Sequence, residues 1–219
     1  MTEQRPERRE RQEFDRELGS IEAKVIDLFA MVVEDLPRAT DALLSGDSEV
    51  LRTLTERDRV IDALYPAIEE LADREILLQQ PVASDLRLLI SVLRVVPELE
   101  RSHDLIVDIA RRGQLNLSQD LSARSRGLIE QMGNLATEMW SHAVKCWRER
   151  DHSAAVALGQ HDDEMGELHA GLIAELASGG MTLPVTMELT LVARFYQRLA
   201  HHAYNIARRV LYLAGHARG

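Results

Sequence analysis

The chain is 219 residues long and 45% hydrophobic, enough to build the core of one large domain or two small ones, and too apolar for wholesale disorder. Acidic residues outnumber basic ones by 36 to 26, a net charge of −10, so a broad duplex-DNA footprint or an anionic membrane surface is disfavoured, while a metal cation is an allowed partner. The most apolar stretch, Leu86 to Pro97, carries Arg87 and Arg94 and falls short of the roughly 20 residues of a membrane span. The start has no apolar signal core and the single Cys146 has no internal disulfide partner, so a cytoplasmic protein with no nucleic-acid partner and no stable membrane insertion is expected.

Residues 1–12 are almost all polar and read as a flexible N-terminal arm. Phe14, Leu18, Ile21, Val25, Leu28, Val32 and Leu36 then step by threes and fours, as one apolar face of a helix requires. Gly46-Asp47-Ser48 offers a capped start for a second helix, through Val50, Leu54, Ile61, Leu64, Ile68 and Leu71 to about Gln79. Pro81 suits the first turn of a third, which runs through Leu86, Leu89, Leu93, Val96, Ile106 and Ile109 to Gly113. Pro37, Pro66 and Pro97 predict kinks.

A fourth helix carries Leu121, Leu128, Met132, Leu135 and Met139, and a fifth carries Ala155, Leu158, Met165, Leu168, Leu172 and Leu176. Beyond Gly179, Gly180 and Pro184 a sixth runs through Leu189, Val192, Phe195, Leu199, Ile206, Val210 and Leu213. With no alternating strand pattern, the fold class is all-α.

Overlaying the halves shows an internal repeat: Asp47 to Asp58 matches Asp151 to Asp162, and Glu100-Arg101, Asp104 and Asp108-Ile-Ala-Arg-Arg112 match Gln197-Arg198, His201 and Asn205-Ile-Ala-Arg-Arg209. Two tandem three-helix bundles follow, over 13–113 and 118–215. Charge is divided unevenly between them. Residues 1–113 hold 25 acids against 16 bases, residues 114–219 hold 11 against 10, and of the eight histidines only His103 is in the first half.

Asp58 and Asp62, and likewise Glu100, Asp104 and Asp108, stand four apart and stack on one helix face. Asp58 lies 21 residues before the turn near Gln79 and Glu100 lies 21 after it, so the two acidic stripes should meet between antiparallel helices. A cation is the natural compensation, and all-oxygen ligation suits Mg, Mn, Ca or iron. The competing reading is a solvated charged face, with Arg57, Arg59, Arg101, Arg111 and Arg112 pairing with the acids. In the second copy Asp162 and Asn205 are kept, but Gln197, His201 and Gly166 replace acids. His161, His169, His201 and His202 leave open a nitrogen-rich zinc or nickel site beside the alternative of solvated histidines.

Enzyme motifs are scarce: there is no phosphate-cradling glycine loop and no HExxH, and Cys146 sits on an apolar face. Glu100-Arg-Ser-His103 has the Glu-x-x-His spacing of di-iron bundles, but Gln197-Arg-Leu-Ala200 lacks both ligands. A metal-dependent oxidoreductase or metal-storage protein on a helical bundle is therefore the alternative, and a non-enzymatic role the leading expectation.

Phe14-Asp-Arg-Glu-Leu18, Arg57-Asp58-x-x-Ile61-Asp62-x-Leu64, Gln80-Pro-Val-Ala-Ser-Asp-Leu-Arg87 and Leu99-Glu-Arg-Ser-His-Asp104 occur in the order of the landmarks of the PhoU family, which the chain resembles from about Phe14 to Gly215. The resemblance implies two three-helix bundles and a cytoplasmic regulatory adapter, often a homodimer, that restrains the phosphate-starvation response and so affects transcription. It implies contact with a phosphate ABC transporter's ATPase subunit and a sensor histidine kinase. It also implies a multinuclear cluster of iron or zinc on Asp58, Asp62, Glu100, Asp104 and Asp108; the oxygen donors themselves also admit Mg or Mn, and Asp162, His201 and Asn205 are the candidate ligands of the second copy. The second copy departs from the family pattern, reading Gln197-Arg-Leu-Ala-His-His-Ala-Tyr-Asn205 with two acids missing.

Overall fold

The computed structural model describes residues 4–150 and 152–215, and among the described residues it holds six α-helices and no strand. They are α1 (Gln4–Ser45), α2 (Ser48–Gln79), α3 (Ala83–Gly113), α4 (Ala123–Glu149), α5 (His152–Ala177) and α6 (Leu183–Gly215). Met1 to Glu3 of the expected arm and His216 lie outside the described residues. From Gln4 the polar stretch continues α1, and Arg11 on it pairs with Asp15 at 3.0 Å and with Asp85 of α3 at 3.0 Å.

Local chemistry sets the helix ends. Asp47 caps α2, its carboxylate accepting from the amides of Glu49 at 2.9 Å and Val50 at 3.3 Å. Ser122 does the same for α4, accepting from the Ser125 amide at 3.0 Å. Gln80, left-handed at φ 46°, ends α2, and Pro81 precedes α3 rather than opening it, because Val82 is still extended and the helix starts at Ala83. Pro37, Pro66 and Pro97 lie inside α1, α2 and α3, which continue through them.

Two three-helix bundles stand in tandem, α1 to α3 and α4 to α6, and they pack through α1 on α4 and α3 on α6. Their apolar faces merge into one core. Phe29 of α1 is 6.2 Å from the ring of Trp140 and 6.1 Å from that of Trp147, both on α4 and both fully buried. Gly133 of α4 lets that helix close on Thr40, since a Cβ there would stand 2.5 Å from the Thr40 Oγ1. Gly113 does the same where α3 meets α1, a Cβ there falling 2.2 Å from the Ala42 carbonyl oxygen.

Candidate functional site

The acidic face on α2 and α3 forms around a buried histidine. His103 of α3 is fully buried, and its two ring nitrogens stand 2.7 Å from Asp58 Oδ1 and 3.0 Å from Asp35 Oδ2, reaching α2 and α1 respectively. Burial alone would push its pKa down, but hydrogen bonds to Asp35 and Asp58 and the charges of both outweigh it and leave the pKa raised. Carboxylate oxygens only accept, so in this geometry both nitrogens donate and the ring is an imidazolium held between two carboxylates. Asp35, itself fully buried, also accepts from Arg57 at 3.0 Å and from Arg38 at 3.4 Å.

This arrangement removes His103 as a metal ligand in its Glu100-x-x-His103 spacing, because neither nitrogen has a lone pair to give. It also redirects the arginines. Arg57 reaches Glu34 and Asp35, Arg101 reaches Glu98, and Arg111 reaches Asp108 at 2.7 Å. Of the five predicted acids, Asp108 is thus paired with a guanidinium and Asp58 with the imidazolium, while Asp62, Glu100 and Asp104 have no ion pair among the described residues.

Electrostatics shows that these groups share one face. Glu100 has a raised pKa through burial first and then the charge of Asp104, with smaller contributions from Asp62 and Asp58; Arg101 opposes them. Asp104 is likewise raised, by burial and then by Asp58, Asp62 and Asp108. The acids of α2 and α3 thus lie near enough to feel one another's charge, but no three of them bring ligand atoms within 4.8 Å of one another. Arginine pairing of the kind the competing reading called for is found at Asp108, while Asp62 and Asp104 are exposed to solvent.

The second bundle is built differently at the matching level. His201 Nδ1 and Asp162 Oδ2 are 3.8 Å apart in a cleft of about 240 Å³, where Arg194, Gln197 and Arg198 complete the wall. Two guanidiniums there oppose a cation. Asn205 belongs to another cleft, with Ser91, Arg94, Arg208 and Arg209 between α3 and α6. His202 turns inward, 2.8 Å from Ser102 Oγ, and His161 faces α4 instead of His201. The four histidines singled out from the sequence do not gather into one nitrogen-rich site. Asp35, by contrast, was missed, although it sits three residues after Val32 on the apolar stripe of α1, where a charge needs a partner.

No helix among the described residues is long and apolar enough to cross a membrane. A family model described as the PhoU domain matches the chain twice, over residues 25–113 and 129–210. The phosphate-specific transport system accessory protein PhoU homolog of Synechocystis is 30% identical over 208 residues, covering 93% of this chain and 92% of the relative. PhoU homolog 2 of Mycobacterium tuberculosis is 28% identical over 204 residues, 92% of this chain and 96% of its own. Among solved structures, PhoU from Pseudomonas aeruginosa superposes with a TM-score of 0.86 at 27% identity, covering 93% of this chain and 99% of that one. The phosphate transport system regulatory protein PhoU from Streptococcus pneumoniae gives 0.79 at 27% identity, over 92% and 96%.

Proposed function

We propose, since the chain belongs to the PhoU family, that it is a regulatory accessory protein of phosphate uptake, an adapter rather than an enzyme. The observation that carries this reading is the double match of both bundles to the PhoU domain, together with relatives named as accessory proteins of the phosphate-specific transport system. On this reading it works in the cytoplasm, engages the ATPase subunit of a phosphate ABC transporter and a sensor histidine kinase, and lowers transcription of phosphate-starvation genes. Exposed apolar side chains, Leu77, Leu78 and Val82 around the α2–α3 turn and Leu183, Met187 and Leu191 on the first turns of α6, are the surfaces available to such partners or to a second copy in a homodimer.

The α2–α3 face is proposed as the cation site of this adapter. Its oxygen donors are of the type a hard cation takes, and they would have to draw together to hold one: Asp62, Glu100 and Asp104 have no guanidinium partner among the described residues, and Asp58 commits Oδ1 to His103. A bound iron, zinc, manganese or magnesium ion would neutralise the mutual repulsion and tie α2 to α3. The second copy, with Arg194 and Arg198 beside Asp162 and His201, is left out of this site.

Deleting the gene should leave phosphate-starvation genes expressed in phosphate-replete cells, and unchanged reporter output would remove the regulatory reading. Elemental analysis of untagged protein tests the cation separately. Metal content should fall in a Glu100→Gln, Asp104→Asn variant, and equal content would return the face to a solvated one.

A further inference from the structure

A different set of ligands converges on the second bundle, outside the carboxylate face. Glu138 and His142 stand four apart on α4, one above the other on its surface, and His161 reaches them from α5. One ligand atom from each lies within 4.8 Å of the other two. The imidazoles of His142 and His161 are stacked, centroids 5.5 Å apart and planes at 20°, and His161 Nε2 is 3.9 Å from Glu138 Oε1, too far for a hydrogen bond.

The ring nitrogens supply a second observation. Nδ1 of His142 and Nδ1 of His161 are both buried and have no hydrogen-bond partner. A buried imidazole nitrogen without a partner costs free energy, and two side by side are unexpected in a packed helix interface. Since no hydrogen bond among the described residues holds either ring, turning it to present a lone pair breaks nothing. Adjacent residues on a helix point about 100° apart, so His161 serves this cluster while Asp162 serves the separate cleft with His201.

We propose that Glu138, His142 and His161 form a binding site for a zinc-type divalent cation that staples α4 to α5. Two imidazoles and one carboxylate are a donor set that zinc uses with a fourth position open to water or to a group from a partner, and imidazole selects against magnesium and calcium. Tetrahedral ligands at zinc bond lengths stand about 3.3 Å apart, so the present spread closes by side-chain rotation alone. The site is independent of the carboxylate face, which is built on α2 and α3.

The test uses the untagged full chain, stripped with a chelator, and titrates cobalt(II) followed by zinc. Wild type should develop the intense visible absorption of four-coordinate cobalt with nitrogen ligands, accounting for one equivalent apart from metal on the carboxylate face, and zinc should displace it and raise Tm. His142→Asn with His161→Asn should abolish the band and weaken zinc by at least about 100-fold. Asp62→Asn with Asp104→Asn, which alters the separate carboxylate face, should retain the nitrogen-ligand cobalt band. If the histidine variant does not fold, Glu138→Gln, at an exposed position, should still weaken zinc about tenfold and alter the cobalt spectrum. The proposal is overturned if wild type gives only the pale spectrum of all-oxygen cobalt, if the folded histidine variant or the Glu138→Gln variant binds as wild type does, or if the carboxylate variant loses the band as well.

Discussion

His202 Nδ1 of α6 lies 2.8 Å from Ser102 Oγ of α3, joining the two bundles between residues 100 apart in sequence. Ser102 donates its own proton to the Glu98 carbonyl at 2.6 Å, so the imidazole is the donor to Ser102. The next residue on α3 is His103, pinned as a cation inside the first bundle. Two buried imidazoles in opposite protonation states thus meet α3 within one residue step.

Opposite pH dependences follow from this pair. Burial lowers the pKa of His202 to about 4, with Arg198, Arg101 and His201 in the same direction and Glu98 opposing. The unfolded chain takes up that proton near pH 6.5, so the contribution of His202 is complete above about pH 6.5 and is lost as pH falls toward 4. His103 has a raised pKa, so its contribution is present below about pH 6.5 and is lost as pH rises through the folded value. His202→Gln should flatten the acid-side fall in urea stability, and nitrogen NMR at neutral pH should find His103 with two ring protons and His202 with one. A His202 ring titrating near its ordinary value would contradict this.

Tyr196 and Thr40 make another polar link between bundles, at 2.8 Å. Thr40 donates to the Leu36 carbonyl at 3.2 Å, which leaves the phenol to donate to Thr40, and burial pushes the phenol pKa upward so that it stays protonated. Tyr196→Phe should cost about 1 kcal/mol. Thr40→Val strands the phenol proton and should cost more, about 1–3 kcal/mol. Chemical denaturation giving the reverse order would exclude this assignment of donor and acceptor.

Close helix approach at two glycines makes a graded prediction. Gly113→Ala drives a methyl into the Ala42 backbone, which cannot swing away, and should destabilise by about 1–3 kcal/mol. Gly133→Ala meets the Thr40 side chain instead, so adding Thr40→Ala should recover part of its loss. Equal thermal stability of Gly133→Ala with and without the second change would argue against that contact.

Within the acidic face, substitutions should divide into two classes. Glu100→Gln with Asp104→Asn relieves repulsion and should leave the metal-free protein unchanged or a few tenths of a kcal/mol more stable. Asp58→Ala takes a partner from the buried imidazolium and should cost about 1–3 kcal/mol. Urea midpoints in chelator separate the two.

Helical periodicity, the Asp47 cap and the equal distance of Asp58 and Glu100 from the turn were all legible in the sequence because each is a local spacing along one or two helices. The broken acid pattern at Gln197 and His201 was equally legible from the repeat. Asp35 with His103 was not, because that contact joins residues 68 apart on α1 and α3, and periodicity does not say which charge is buried. His142 with His161 was hidden for the same reason: each looks like an ordinary surface histidine until α4 and α5 are laid side by side.

The 42 residues of α1 belong to both halves of the molecule: Phe29 covers Trp140 and Trp147, and Thr40 holds Tyr196. Cutting the chain between Gly113 and Ala123 would therefore leave each fragment with a raw apolar flank. The duplicated repeats have become one cooperative unit, and the severed pieces should recover native stability only when mixed, each acting as the missing half of the other's core.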